Sequence, residues 1–204
     1  MCQLAIPPYS RIWVTPYEYA GNLVALQGVA RRRRASIEVM PVQPDGALDL
    51  QWVRENLDER VALVSVVHIP SGVGTVLPIE EIGALLAGSA AVCVVDACQS
   101  VGQVDVDVSA IRCHILTASG RKFLRGPRGS GFAFLRRDLQ KRLEPATWDL
   151  HVAEVESLTS LRLTARSAVR FETAERSGAL LAQLQRHGHC DVVLLEEQAV
   201  HQPT

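Results

Sequence analysis

The feature that most constrains this chain is a set of short, uniformly apolar runs rich in β-branched residues, separated by helical patterns. "VALVSVV" (61–67) and "AAVCVV" (90–95) are the clearest. Neither alternates polar with apolar side chains, so neither reads as a strand with one wet face, and both are too short for most helices. A strand buried on both faces needs helices above and below it, which is the condition of a parallel sheet. "RIWVT" (11–15), "SIEVMPV" (36–42), "CHILTA" (113–118) and "GFAFLRR" (131–137) supply further strands. A helix is expected over 17–33, where Tyr19, Leu23, Leu26 and Ala30 recur at helical spacing. Others are expected over 50–57, from Ile79 in "PIEEIGALL", and briefly in "DLQKRL". The expected fold is α/β: a three-layer α/β/α sandwich around a mostly parallel sheet.

The 204 residues are 48% apolar, enough for a sizeable core. Residues 1–144 carry the strand and helix alternation. The region 145–204 reads as the start of a further, partly irregular part, with two short strands in "LTSLRLTARSAVRFE" (158–172) and a helix over 172–188. A net charge of −1 predicts neither a nucleic-acid binder nor a membrane-surface protein. The arginine run 31–34 suits the negative end of a helix dipole, and no second basic cluster with interleaved aromatics accompanies it. The five cysteines form an odd set without metal-ligand spacing. Cys93 and Cys113 lie in apolar runs, which reads as free thiols in a reducing cytoplasm. No run of about 18 apolar residues is present.

Ligands of open parallel sheets gather outside the carboxyl ends of the strands. Asp96 closes one strand, Gln99 follows three residues on, and Lys122 lies just past another strand. Nineteen of the 21 cationic residues are arginine, so a lysine at 122 calls for a reason. An amine, unlike a guanidinium, can shed its proton and attack a carbonyl. Acid, amide and amine together suit pyridoxal 5'-phosphate: the amine captures its aldehyde, the carboxylate partners its ring nitrogen, and the amide donates to its phenolic oxygen. On the same residues, Asp96 also reads as a cap of the turn that follows it. His68 reads as a satisfied loop histidine, and "GPRGSG" (126–131) as a tight turn. A nucleotide-binding module is disfavoured, since no Gly-x-Gly-x-x-Gly follows an early strand.

"VVDACQSVGQVDVDV" with "LTASGRKFLRGPRGSGF" resembles the fold-type I pyridoxal-phosphate enzymes of aminotransferase class V. The "GRKFLRGPRG" wording is most similar to the isopenicillin N epimerase-like and hercynylcysteine sulfoxide lyase-like branch. The resemblance implies the large domain of such an enzyme, with Lys122 bonding the cofactor, Asp96 on the ring nitrogen and Gln99 on the phenolic oxygen. It implies Ser119 and Arg121 on the phosphate, Tyr19 of "YEYAGN" stacked on the ring, and Arg170 of "VRFETAE" on a substrate carboxylate. It also implies an amino-acid substrate and a homodimer. The sequence departs from the family pattern in the loop "HIPSGVG", where Pro70 takes the place of an asparagine, with Ser71 and His68 nearby. Cys190 does not match the mobile cysteine of desulfurases. The family's preceding phosphate loop and most of its small domain are expected to be missing, which makes an inactive truncated remnant the alternative reading.

Overall fold

In a computed structural model, residues 4–145, 148, 150, 152–164, 167–172, 178, 179 and 182 are described. The valine-rich runs become the centre of a six-stranded sheet, as two-sided burial requires. Its strands are β1 (Arg11–Val14), β2 (Ser36–Val39), β3 (Val61–Val67), β4 (Val92–Asp96), β5 (Ile115–Ser119) and β6 (Gly131–Leu135). The spatial order is β2-β1-β3-β4-β5-β6. All neighbours are parallel except β5 and β6, joined antiparallel through the glycine-rich turn. The order reverses between β1 and β3, which opens a crevice at their carboxyl ends.

Helices cover both faces. On one face, α2 (Leu50–Asn56), α3 (Ile79–Leu86) and α4 (Val108–Ile111) bury Val53, Ile82 and Ile111 against Trp13, Val64, Val66, Cys93 and Val95. On the other, α1 (Ala20–Arg33) lays Leu23, Leu26 and Ala30 over Ile12, Val14 and Leu63. Beside it, α5 (Arg137–Gln140) helps cover Val92 and Ile115 with Leu139 and Leu143. Each such aliphatic side chain contributes about 1.5–3 kcal/mol when fully buried. This is the expected three-layer sandwich.

Local chemistry sets the boundaries. Asp49 and Asp107 cap α2 and α4, accepting from the N–H groups of Trp52 and Ser109 at 2.9 and 2.7 Å. Arg34, at φ 54°, ends α1 in the left-handed conformation. That helix begins at Ala20 rather than 17, because the Glu18 N–H turns back to the Thr15 carbonyl at 3.3 Å and Tyr19 is extended.

The strand pair expected within 158–172 is displaced. The hairpin is β7 (Ala153–Ser157) and β8 (Ser160–Leu163), followed by a 3-10 turn at Ala168–Phe171. Glu154 and Glu156 make β7 look like a polar loop in sequence, yet both pair with Arg162 across the hairpin. The helix expected over 172–188 falls almost wholly outside the described residues, as does Cys190.

Candidate active site

The pleat of β4 decides where its last side chain points. Cys93 and Val95 enter the core on the α2–α4 side, so Asp96 emerges toward α1. It is buried, and both carboxylate oxygens are engaged: Oδ1 accepts the Cys98 N–H and Oδ2 accepts Asn22 Nδ2, each at 2.9 Å. The first contact is the turn-capping role expected of Asp96; the second was not legible in the sequence. Thr117 of β5 pairs with Asp96, and Ser119 lies two residues further along the same face.

Lys122 sits in the turn after β5, half-buried. That turn is closed by the Gly126 N–H on the Gly120 carbonyl at 2.7 Å and the Arg125 N–H on the Lys122 carbonyl at 2.9 Å. The Cys98 thiol, two residues past Asp96, feels both acid and amine. Burial pushes it up to about 11, helped by a hydrogen bond to Asp96 and that carboxylate's charge, while the Lys122 charge and a Ser119 backbone hydrogen bond pull it down. The thiol thus hydrogen-bonds Asp96 and the Ser119 backbone while feeling the charge of Lys122. Gln99 follows it, half-buried, with its carbonyl accepting Gln103 Nε2 at 2.7 Å.

The other expected site residues divide. Tyr19 is 54% exposed, with its ring folded against Gly21 rather than packed in the core. Arg121 is exposed beside Lys122. Arg170 is not brought to the site. Its guanidinium donates to the carbonyls of Gln140 and Leu143 and lies over the Phe171 ring. Phe171 packs with Val92 and Ile115, which begin β4 and β5, so Arg170 serves the opposite end of the sheet.

Glu18, Asn22 and Ser65 extend the hydrogen-bonded group around Asp96 and are not singled out by the sequence. Asn22 Nδ2 also donates to Glu18 Oε1 at 2.9 Å, and Ser65 Oγ donates to Glu18 Oε2 at 2.9 Å. The i, i+4 spacing of Glu18 and Asn22 was a usable signal. His68 corrects another expectation: it is buried with Nδ1 unpartnered among the described residues, not satisfied, and burial lowers its pKa. Thr15 Oγ1 is likewise buried and unpartnered. The two orphans sit just past β1 and β3, at the crevice where strand order reverses. Pro70 is buried and Ser71 exposed, so neither supplies the amide of the family's asparagine.

Asp96 at the end of β4, Gln99 in the turn after it and Lys122 in the turn after the neighbouring β5, with unfilled polar capacity at the adjacent crevice, fit pyridoxal phosphate. No cluster of potential metal ligands occurs among the described residues.

Fold and site together define an α/β core built around a carboxylate and a lysine. The aminotransferase class-V family model matches residues 2–184, and the chain belongs to that family. It is 33% identical over 135 residues to a probable cysteine desulfurase of Pyrococcus abyssi, covering 66% of this chain and 33% of that protein. It is 31% identical over 174 residues to a cysteine desulfurase of Serratia proteamaculans, covering 85% of this chain and 43% of the relative. The chain therefore spans less than half the length of these relatives. Among solved structures, the apo cysteine desulfurase of Thermococcus onnurineus NA1 superposes with a TM-score of 0.80 at 29% identity, over 89% of this chain and 46% of that one. A mutant of the cystine C–S lyase C-DES, solved with glycine covalently linked to the pyridoxal-phosphate cofactor, shares the fold at a TM-score of 0.78 and 24% identity, over 90% of this chain and 50% of that one.

Proposed function

We propose that this chain is the cofactor-binding core of a pyridoxal-phosphate enzyme acting at the Cα of an amino acid. The observation that carries the reading is the place of Asp96, buried at the carboxyl end of β4 and paired with Thr117 of β5, the strand that leads into the Lys122 turn. In this reading Asp96 pairs with the ring nitrogen and keeps it protonated, and Gln99 donates its amide N–H to the phenolic oxygen. Ser119 and Arg121 hold the phosphate, the guanidinium as a fork, and Tyr19 stacks on the ring. The cofactor, when bound, supplies an electron sink for charge developing at Cα. Lys122 would hold the cofactor's aldehyde carbon, and its amine would be the group placed to move the Cα proton.

C–S cleavage, epimerisation and transamination share these residues. A desulfurase course through a protein thiol finds no support in the described cysteines. Cys93, Cys98 and Cys113 are all held protonated by burial, at about 12, 11 and 11. The likeness of "GRKFLRGPRG" to the epimerase-like and sulfoxide lyase-like branch favours a reaction that needs no such thiol. A homodimer belongs to the same proposal. A second reading, a binding-competent but inactive remnant, draws support from Pro70 and from exposed Tyr19, Val73, Val76, Val104 and Phe123.

Titration of the purified chain with pyridoxal phosphate tests the proposal. A visible band should develop, borohydride reduction should fix the cofactor to the Lys122 peptide, and Lys122→Ala should abolish both. Absence of the band and of the label refutes the proposal. Uptake without turnover of any amino acid selects the remnant.

A further inference from the structure

We infer that Asn22 is a positioning residue for Asp96, and that it joins this carboxylate to a second one, Glu18. The inference rests on the reading of Asp96 as the cofactor's ring partner. Asn22 stands in the first turn of α1, and its Nδ2 donates to Asp96 Oδ2 and to Glu18 Oε1, both at 2.9 Å. Only the amide nitrogen can face two carboxylates, since an amide oxygen there would meet acceptors on both sides. Glu18 is fixed in turn by Ser65 Oγ on Oε2 at 2.9 Å and by the Tyr19 N–H on Oε1 at 3.1 Å. Contacts therefore run from β3, through the loop after β1, to the end of β4.

An aspartate carboxylate otherwise turns in a broad, roughly two-fold χ2 well. Here Oδ2 is held by Asn22 and Oδ1 by the Cys98 N–H, so the plane of the group is set before any ligand arrives. Asn22 thus acts through Asp96 and touches no reacting atom.

The test compares pyridoxal-phosphate affinity of the native chain, Asn22→Ala and Asn22→Asp, with Asn56→Ala as control. Asn56 makes one amide bond to the Trp52 carbonyl within α2, in the layer across the sheet. Asn22→Ala should weaken cofactor affinity about tenfold, the factor that ~1.4 kcal/mol of lost orientation carries. The pH at which the bound-cofactor band changes should shift as well. Asn56→Ala should lower the melting temperature and leave both readouts alone. Asn22→Asp, close in shape but unable to donate, should weaken binding at least as much and serves if the alanine variant does not fold. Unchanged affinity in the Asn22 variants, or losses that only track melting temperature as in Asn56→Ala, overturns the inference. A native chain that takes up no cofactor overturns the underlying reading instead, and this inference with it.

Discussion

Gly102 and Phe123 meet backbone to backbone: a Cβ on Gly102 would stand 2.9 Å from both the carbonyl carbon and oxygen of Phe123, and 3.2 Å from the Leu124 nitrogen. The contact presses the turn that follows Asp96 against the turn that carries Lys122. It adds to the β4–β5 pairing of Asp96 with Thr117 a second contact between the segments that carry acid and amine.

Gly102→Ala should therefore cost more than backbone strain. Gly102 has φ +87°, where an L side chain is strained whatever the space, and its neighbours are main-chain atoms that cannot rotate away. A matched comparison is Gly88→Ala, with φ +84° and nothing within 4 Å of the added carbon. Gly88→Ala should lose about 1 kcal/mol and Gly102→Ala about 2–4 kcal/mol, read from urea midpoints. Cofactor uptake should fall only in Gly102→Ala. Equal losses in the two variants would show that the contact between turns has no energetic weight.

The reach of the sequence differed between elements for physical reasons. β3 and α3 were legible almost to the residue, because a short valine-rich run and a Pro-Ile-Glu-Glu start have few other uses. Asp96 and Lys122 were legible as a pair because each marks a strand end, and strand ends of a parallel sheet share one edge. The partnership of Asn22 with Asp96 spans 74 positions and leaves no local trace. Arg170 was drawn toward the site by the wording around it, whereas the carbonyls of Gln140 and Leu143 are what it meets. β7 was hidden by its glutamates, whose partner Arg162 lies on the following strand.

The half-buried Cys98 thiol should resist alkylation despite its place beside a lysine. With its pKa at about 11, only roughly one molecule in 1,000 carries the thiolate at pH 8, against roughly one in four for a free cysteine. Iodoacetamide labelling at pH 8, followed on the Cys98 peptide by mass spectrometry, should be at least 100-fold slower in the native chain than in urea. Asp96→Asn removes the charge that opposes ionisation, and should speed labelling of the native protein. Native labelling as fast as in urea would mean that neither burial nor Asp96 holds this thiol protonated.

Two histidines should make the fold sensitive to mild acid. His114 is lowered chiefly by burial and next by Arg136, and its Nδ1 accepts the Cys93 N–H at 3.0 Å, which requires that nitrogen to be unprotonated. His68 is lowered by burial alone. Both folded-state values lie below 6.5, the ordinary value. Above that pH neither state binds protons at these sites, and their contribution to stability is constant. Below it the unfolded chain takes up protons that the native chain refuses. Stability therefore falls as pH drops from 6.5 toward the lowered values, by no more than about 1.4 kcal/mol per pH unit for each histidine. Asp138, held at about 2 chiefly by its hydrogen bond to Arg136, adds a small further loss only below 3.8, since the pair is exposed. Urea midpoints should be level between pH 8 and 7 and decline from 6.5 to 5. His114→Asn, which keeps an acceptor where Nδ1 stands and does not titrate, should flatten part of that decline. A midpoint that stays constant down to pH 5 in the native chain would show that both imidazoles accept protons in the folded state as readily as in the unfolded one.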